Sequence, residues 1–384
     1  MPDFTEFYED NKKPVVLVSP LDWGLGHTVR CIPIIRELLA QQCTVIIACN
    51  SVQKALLIRE FPHCTYVHLP GYDVGYGATR WGTIGKIVWQ LPKIINRVRE
   101  EQHWLQQFCR EQTIDAIISD NRFGFYHRSI PSVFISHQFH INTGLGRLAD
   151  ALAQRLNYWC MNHFSACWVP DYKVNQSMAG LLSNPRKLPA VPVTYLGGIS
   201  RFTPCAAASG SQLLVLLSGP EPQRTIFENI ILKELEALPA KAVLVRGLPA
   251  GDTITVTNPH LTVYNHATAS RLNQLICASE MVICRPGYTT VMDLLKLGKK
   301  TIMVPTPGQT EQEYLAKHLH RQGWAYAVKQ HAFSLSGAME AARGFTYQLP
   351  VLNMEEYKAT VRHFVHDIIS TSDNQKTRTA WGHP

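Results

Sequence analysis

Short apolar segments alternate with longer amphipathic ones along most of this chain. In the first half the apolar segments are PVVLVS, CTVIIAC, IDAIIS, SVFIS and ACWV, at residues 14–19, 43–49, 114–119, 132–136 and 166–169. They do not alternate polar with apolar positions, and strands covered on both faces of a parallel sheet have this pattern. The first half therefore predicts repeated strand–helix units.

The same rhythm returns after a stretch rich in Gly, Ala, Ser and Pro. Residues 197–211 read GGISRFTPCAAASGS, a composition typical of a linker between domains. We therefore predict two doubly wound α/β domains, at 1–196 and 212–350, that face each other across a cleft. Strand-like segments of the second domain lie at 212–218, 241–245, 261–264, 280–284, 300–304 and 324–328.

The end of the chain carries one more helical pattern. Apolar residues at helical spacing between Tyr357 and Ile369 predict a closing helix over 351–370, which we expect to pack back on the N-terminal domain. Residues 371–384 are polar and bury little apolar surface, so we predict a disordered tail.

The composition is that of an ordinary folded protein and narrows the function classes. The chain has 384 residues, more than one hydrophobic core usually holds, and 46% of them are hydrophobic. No segment approaches the roughly 20 apolar residues that cross a bilayer, and the acidic, polar start lacks the apolar stretch of a secretory signal. We therefore expect a cytoplasmic protein.

Charge and cysteine content add further limits. There are 37 Lys and Arg against 29 Asp and Glu, and the net charge of +8 suits a protein that handles phosphates or rests on an anionic membrane surface. The basic residues form no concentrated stripe with interleaved aromatics, so we expect no nucleic-acid partner. The ten cysteines contain no C-x-x-C pair, and we expect neither disulfides nor a structural zinc site.

A glycine-rich turn with a histidine follows the first predicted strand. Residues 24–27 read GLGH, and a helix is predicted to follow. Gly24 and Gly26 allow close approach of the backbone to a ligand, and His27 would lie at the mouth of the cleft as a general base. Asp120, just beyond another strand of this domain, could accept the imidazole Nδ1–H and orient the ring. Two structural alternatives stay open, a helix cap for His27 and a turn cap for Asp120.

The densest signal in the second half is CRPGYTTVMDLLKLG, at residues 284–298. A strand passes here through a glycine and two hydroxyl residues into a helix. This order makes an anion site, because Gly287 lets the backbone close on a phosphate while Thr289 and Thr290 add hydroxyl donors. Asp293, one turn further, could accept both hydroxyl hydrogens of a ribose, or could simply be stabilised by the helix dipole.

Two further loops of the second half could face the same ligand. The loop SGPEPQR follows the first strand of the domain, and its Ser218, Gly219 and Arg224 are candidates for phosphate contact. Glu311 and Gln312 open another helix after a Pro-Thr-Pro-Gly turn, although acidic residues at a helix start also have an ordinary structural role.

These motifs resemble those of glycosyltransferases with the GT-B architecture. The pattern is most similar to the group that contains the lipid-II-forming N-acetylglucosaminyltransferase and the plant and macrolide UDP-glycosyltransferases. GLGH is similar to that group's glycine-rich loop ending in histidine. The second half is similar to its nucleotide-sugar signature, which runs here through Gly287–Asp293, Gly298, Val304-Pro305, Glu311-Gln312 and Ala316. The chain departs from the plant-type signature at Arg285-Pro286 and at Leu315.

The resemblance implies that the second domain binds a nucleoside-diphosphate sugar, with uridine as the favoured base. It implies that His27, oriented by Asp120, deprotonates an acceptor hydroxyl, which displaces the diphosphate with inversion. We expect no metal and no cofactor besides this co-substrate, because the strand ends carry no D-x-D signature. The donor contacts implied are Thr289 and Thr290 at the diphosphate, Asp293 at the ribose, and Glu311 and Gln312 at sugar hydroxyls. Arg285 stands where the chain departs from the signature, and we add it as a further candidate for donor contact.

The acceptor is the least readable part of the sequence. Residues 84–108 combine a basic face with an apolar one, so they could rest on a membrane that carries a lipid-linked acceptor, although most such helices pack on their own sheet. Two other functions stay open. GLGHTVRC also resembles nucleotide-sugar hydrolases of this fold, whose relatives include 2-epimerases, and the chain could be a non-catalytic nucleotide-sugar-binding protein.

Overall fold

A computed structural model gives the fold of residues 13–72, 80–204, 210, 212–248 and 251–380, with residues 80–84, 86–88 and 372–380 described by their backbone alone. Over these residues the N-terminal domain has seven strands and four α-helices. The strands are β1 (Val15–Pro20), β2 (Thr44–Cys49), β3 (Thr65–His68), β4 (Ala116–Asp120), β5 (Ser132–Ile135), β6 (Ala166–Val169) and β7 (Val193–Tyr195). The helices are α1 (Leu25–Ala40), α2 (Ser51–Glu60), α3 (Arg80–Glu111) and α4 (Arg147–Met161).

The C-terminal domain repeats the plan with six strands over the same described part of the chain. They are β8 (Gln212–Leu216), β9 (Ala242–Val245), β10 (Leu261–Tyr264), β11 (Ser279–Cys284), β12 (Lys300–Met303) and β13 (Tyr326–Ala327). The helices are α5 (Gln223–Glu236), α6 (Ala269–Cys277), α7 (Tyr288–Lys296), α8 (Thr310–Arg321), α9 (Leu335–Gly344) and α10 (Glu356–Ala380).

All described strand pairs are parallel, in the orders β3-β2-β1-β4-β5-β6-β7 and β10-β9-β8-β11-β12-β13. The prediction of two doubly wound α/β domains is thus confirmed, and every predicted strand is present. The sequence pattern missed β3 and β7. Both lie at a sheet edge, and their residues are half-buried or exposed, so neither carries the continuous apolar run of a central strand.

The strand order reverses at one point in each sheet, and this places the site. β1 lies between β2 and β4, with Pro20 opposite Asp120. In the second sheet β8 lies between β9 and β11, with Leu216 opposite Cys284. The loops that follow these neighbouring strands diverge at the carboxyl ends, and such crevices are where doubly wound folds bind ligands.

One buried apolar cluster joins the two domains and the closing helix. It contains residues of both sheets, of the facing helices α1 and α7, and of α10, whose Val361, Val365 and Ile368 are buried. α10 packs against α1 of the N-terminal domain. It continues to Ala380 rather than ending at 370 as the sequence analysis predicted, since no proline or glycine interrupts residues 371–380. The last four residues of the predicted disordered tail lie outside the described ranges.

Two further observations concern a disulfide and the hydropathy of the helices. Cys277, the last residue of α6, is disulfide-bonded, so the expectation of no disulfides was wrong. Spacing motifs report pairing between near neighbours in sequence, whereas a disulfide depends on distance in the fold. None of the helices in the described ranges combines the length and the hydropathy of a membrane-spanning segment.

Candidate active site

The register of the first sheet brings the glycine-rich turn next to Asp120. α1 begins after Gly24, which has a φ of 89° and makes no side-chain cap, and His27 stands in the first turn of the helix. Asp120 ends the neighbouring strand and is fully buried. Its Oδ1 lies 2.7 Å from His27 Nδ1. His27 Nε2 has no hydrogen-bond partner among the described residues, and 16% of the side chain is exposed.

Arg30, which the sequence analysis did not select, completes this cluster. Its Nε donates to Asp120 Oδ2 at 2.8 Å, and its Nη2 donates to Oδ1 of the same carboxylate. Burial by itself would raise the pKa of Asp120, but Arg30 and then His27 outweigh it and hold that pKa well below its usual range. Asp120 is therefore a permanent anion. The available signal was spacing, because residues 27 and 30 lie on one face of a helix.

A second histidine, also missed, connects the cluster to the C-terminal domain. His137 follows β5, and its Nε2 lies 2.8 Å from Oε1 of Glu311 in the first turn of α8. Gln138 donates to the other oxygen of Glu311. The His137 ring stacks on Tyr288 of α7, with centroids 4.0 Å apart. Burial lowers the pKa of His137 in spite of Glu311, so the imidazole is neutral.

The N-termini of α1 and α7 meet at the centre of the cleft. Thr289 Oγ1 donates to the carbonyl oxygen of Gly26 at 3.1 Å. A Cβ on Gly26 would lie 3.2 Å from that hydroxyl, so the glycine permits the close approach. In the described structure no side chain caps α7 at Gly287, and Thr290 is half-buried beside it. The uncapped starts of two helices thus lie next to each other, and the free N–H groups of a helix start are the donors that an anion site uses.

A third part of the site lies at the loop after β8. Ser218 and Gly219 are exposed, and Gly219 has a φ of 108°, which a side chain rarely tolerates. The hydroxyl of Thr306 is buried and lacks a partner in the described ranges. A Cβ on Gly219 would lie 3.9 Å from it. Thr306 lies in the Pro-Thr-Pro-Gly turn after β12, which the sequence analysis used only to place the following helix, so its hydroxyl was not selected.

The two predicted phosphate-binding arginines point elsewhere. Arg285 is buried, and its guanidinium donates to Val304 O, Gln223 O and Gln330 Oε1 at 2.9, 3.1 and 2.6 Å. Arg224 is buried too and pairs with Glu221 and Glu228 of its own segment. A strand end fixes where a residue stands but not which way its side chain turns, and both side chains turn into their own domain.

Asp293 and Gln312 also have partners within the protein. Asp293 Oδ1 accepts a hydrogen bond from Ser200 Oγ in the segment between the domains. Burial raises the pKa of Asp293 to about 6, against the opposing effects of Ser200 and Arg201. Gln312 is buried, and its Oε1 accepts the backbone N–H of Thr306 at 2.9 Å. Neither side chain opens freely onto the cleft.

The donor set suits an anionic ligand better than a cation. Across the described ranges no group of three or more His, Cys, Asp or Glu is placed to hold a metal ion. Uncapped helix N-termini and the hydroxyls of Thr290 and Thr306 are donors that can bond to phosphate oxygens, whereas the Thr289 hydroxyl already donates to Gly26 O. The arrangement therefore sets an oriented imidazole beside a candidate phosphate site.

Comparison with known sequences supports this interpretation for the second domain. Residues 252–359 match the model of the glycosyltransferase family 28 C-terminal domain. A UDP-N-acetylglucosamine–N-acetylmuramyl-(pentapeptide) pyrophosphoryl-undecaprenol N-acetylglucosamine transferase of Histophilus somni is 31% identical over 128 residues, 31% of this chain and 36% of the relative. The same-named protein of Methylobacterium radiotolerans is 30% identical over 131 residues, 32% and 36%. The matched part thus spans about a third of the length of these relatives.

Comparison with solved structures covers nearly the whole chain. The glycotransferase of kitacinnamycin is 15% identical with a TM-score of 0.62, over 95% of this chain and 99% of that one. The calicheamicin glycosyltransferase CalG4 is 12% identical with a TM-score of 0.61, over 97% and 100%. The chain has the GT-B architecture, and its resemblance to the lipid-II and UDP-glycosyltransferase group is confirmed.

Proposed function

We propose that this protein is a glycosyltransferase that moves a sugar from a nucleoside-diphosphate sugar to an acceptor hydroxyl, with His27 as the general base. The observation that carries the proposal is the 3.1 Å contact between Thr289 Oγ1 and Gly26 O. It sets the candidate diphosphate site one residue away from the oriented imidazole. The family match of the second domain and the similarity of the whole fold support the same reaction.

In the proposed reaction the acceptor hydroxyl gives its proton to His27 Nε2. The acceptor oxygen forms a bond to the anomeric carbon from the face opposite the leaving group. At the same time the bond from that carbon to the diphosphate oxygen breaks. This single displacement inverts the anomeric centre. Negative charge grows on the departing diphosphate, and the N–H groups at the start of α7 with the Thr290 hydroxyl would stabilise it. Asp120 keeps His27 in the orientation and tautomer that a base needs.

We propose a uridine diphosphate sugar as the donor. The support is the name of the relatives, which act with UDP-N-acetylglucosamine, together with the family match over 252–359. The direct test is thermal unfolding with UDP-, TDP- and GDP-sugars and with free UDP. A ligand held at one hundred times its dissociation constant stabilises a fold by about 2.7 kcal/mol. Absence of a shift with any nucleotide would refute the donor proposal.

Replacement of His27 separates catalysis from binding. In His27→Ala we expect donor affinity within a factor of about three of wild type and turnover reduced by a factor of about 10² to 10⁴. His63→Ala is the matched control, because that histidine is exposed on the loop after α2. A non-catalytic binding protein would show no turnover to lose. A hydrolase, the second candidate, would release UDP at its full rate without any acceptor.

We propose that the acceptor has a lipid portion and that the protein contacts a membrane surface. The first support is the name of the curated relatives, which includes a pyrophosphoryl-undecaprenol group. The second is an apolar stripe on α4, which carries Leu148 with 89% of its surface exposed and Trp159 with 62%. α3, the helix singled out in the sequence, adds the exposed Trp89. An exposed apolar face on a basic protein is typical of peripheral membrane contact.

Sedimentation with vesicles tests this part. Wild-type protein should sediment with vesicles of one-third anionic lipid at 0.1 M salt, and Leu148→Glu with Leu152→Glu should weaken it by about tenfold or more, since two apolar anchors are lost and two negative charges are gained. The control is Val351→Glu, which is also exposed but lies between α9 and α10. Equal binding of all three proteins would contradict the proposal for α4.

A further inference from the structure

A connected run of hydrogen bonds crosses the cleft from one carboxylate to another. Arg30 Nε donates to Asp120 Oδ2 at 2.8 Å. The other end of the same guanidinium, Nη1, lies 3.2 Å from His137 Nδ1. His137 Nε2 lies 2.8 Å from Glu311 Oε1. The run therefore joins the carboxylate that orients His27 to the carboxylate expected at the donor sugar.

The direction of each bond in this run follows from the available protons. A guanidinium has donors only, so His137 Nδ1 must be the acceptor of its bond with Arg30. The ring hydrogen is therefore on Nε2, which donates it to Glu311. A second proton on Nδ1 would bring two donors face to face. His137 is thus locked as a neutral imidazole in a single tautomer.

The hydrogen-bond partners also determine the tautomer of His27. Its Nδ1 lies 2.7 Å from Asp120 Oδ1 and 3.0 Å from Arg30 Nη2. One nitrogen cannot donate to the first and accept from the second at once. Asp120 is ionised and can only accept, so its short contact with Nδ1 requires a hydrogen on that nitrogen, while Arg30 Nη2 donates one of its two hydrogens to the same carboxylate. Nδ1–H therefore donates to the carboxylate, and Nε2 keeps the lone pair that a base needs.

We propose that Arg30 and His137 are positioning residues of the proposed reaction. Arg30 keeps Asp120 ionised and thereby holds His27 in the Nδ1–H tautomer. His137 accepts from Arg30 and donates to Glu311. A residue of the N-terminal domain thereby orients a carboxylate of the C-terminal domain. The inference rests on the proposed function, because it assigns roles relative to that reaction.

The packing around both residues favours this role over a chance contact. Arg30 and His137 are buried, so few other groups can satisfy their donors and acceptors. The His137 ring is held by its stack on Tyr288, whose hydroxyl donates to Pro170 O at 2.7 Å. A ring fixed in this way cannot exchange its two nitrogens without opening the contact between the domains.

The first experiment needs no substrate. In the full chain labelled with ¹⁵N-histidine, long-range proton–nitrogen spectra report which ring nitrogen carries hydrogen. Wild-type His137 should stay neutral, with hydrogen on Nε2, from pH 5.5 to pH 8. In Arg30→Gln, His137 should become protonatable in that range, because the donor opposite Nδ1 has lost its charge. Free titration of His137 in the wild type would overturn the inference.

The second experiment is kinetic and compares Arg30→Gln with Arg30→Lys. The charged groups that face His27 are Asp120 from β4, Arg30 from α1, Glu311 from α8 and, when protonated, His137. Removal of the Arg30 charge leaves the carboxylates of Asp120 and Glu311 without that cation. Arg30→Gln should therefore lower kcat by about 100-fold and move the acid limb of the kcat/KM profile up by about one pH unit. Arg30→Lys keeps the charge, so its limb should stay in place.

A third pair of variants tests His137. His137→Phe keeps an aromatic ring on Tyr288 but loses both hydrogen bonds, so we expect a donor KM at least tenfold higher with a smaller effect on kcat. His137→Gln restores one acceptor and one donor and should recover most of the loss. A merely structural role would lower the yield of folded protein and leave the limb and the KM-to-kcat split unchanged, which would refute the inference.

The outcomes separate the two proposals. If the wild type turns over a nucleotide sugar while His137 titrates freely, the positioning role fails and the proposed function stands. If no nucleotide sugar binds at all, the proposed function fails and takes the positioning role with it, whatever the spectra show. Fixed tautomers together with a displaced acid limb support both.

Discussion

Replacement of Arg285 by methionine should destabilise the fold while leaving nucleotide binding nearly intact. The sequence motif makes this arginine a donor contact, whereas the structure turns it into the C-terminal domain, with 1% of its surface exposed. It donates to three buried oxygens, on Val304, Gln223 and Gln330, and its guanidinium carbon lies 4.4 Å from the centre of the Phe227 ring. Burial lowers its pKa to about 10, so it is still charged at neutral pH.

The expected loss of stability follows from the buried oxygens that methionine would leave without a hydrogen-bond donor. Each buried oxygen left without a donor costs about 1 to 3 kcal/mol, and the lost cation–π contact adds about 1 kcal/mol or more. The variant no longer has to bury a cation, and water or a side-chain shift can satisfy one or two of the oxygens. A net loss of about 3 to 4 kcal/mol in the free energy of unfolding is the result, a large part of the stability of a typical domain.

The assay is urea unfolding with a parallel measurement of UDP affinity. Arg271→Met is the matched control, because Arg271 also lies over a ring, 5.5 Å from the centre of Tyr264, and donates to its hydroxyl at 2.9 Å, but is exposed. Its replacement should change the free energy of unfolding by less than about 1 kcal/mol. If Arg285→Met unfolds like wild type but loses UDP affinity by tenfold or more, the guanidinium serves the ligand and the reasoning is refuted.

Three further predictions concern the cleft. Gly26→Ala should weaken UDP-sugar affinity by about tenfold, because the new Cβ would lie 3.2 Å from Thr289 Oγ1. The control is Gly344→Ala, whose new Cβ would have no atom within 4 Å and should leave the affinity unchanged. Asp120→Asn should lower turnover by roughly 10³-fold or more in an activity assay. Urea unfolding should show a free energy of unfolding lower by about 3 kcal/mol. An effect on turnover of less than fivefold would contradict the role of Asp120 as an orienting carboxylate. The pKa of Asp293 is raised to about 6 in the folded protein, so ionisation of this carboxyl disfavours the folded state. The stability that the protonated carboxyl contributes is therefore lost as pH rises from about 4 through 6. Asp293→Asn should therefore gain about 2 kcal/mol relative to wild type between pH 4 and pH 7.5 in paired unfolding curves, and a constant difference would contradict the raised pKa.

The elements that could be predicted are those that a short apolar run identifies. Strands such as β1 and β11 are buried on both faces, so their residues had to be apolar in continuous runs. The position of His27 and Asp120 followed from the same pattern, because Asp120 ends an apolar run and His27 stands in the turn that leads from one into a helix. Their hydrogen bond was only a hypothesis at that stage, since it depends on β1 and β4 being neighbours.

The missed residues share one property. The motifs in or near which Arg30, His137 and Thr306 stand do not mark these side chains as part of a site, and their burial beside other polar groups is visible only in the fold. Conversely, Arg285 and Gln312 lie inside a motif but form hydrogen bonds within their own domain. A linear motif records that a polar residue stands at a strand end or a helix start, and it carries no information on the direction of the side chain.

The sequence by itself determined two parallel-sheet domains and the loops in which the site would lie. Burial on both faces of a sheet forces a continuous apolar run, and a turn into a helix needs glycine or a capping residue, so both leave local marks. Only the tertiary structure decided the proton arrangement of the cleft. Glu311 stands 174 positions beyond His137, and its pairing exists because two domains meet at one edge. Hydrogen bonds of this kind depend on distances and angles in space, which no local pattern encodes.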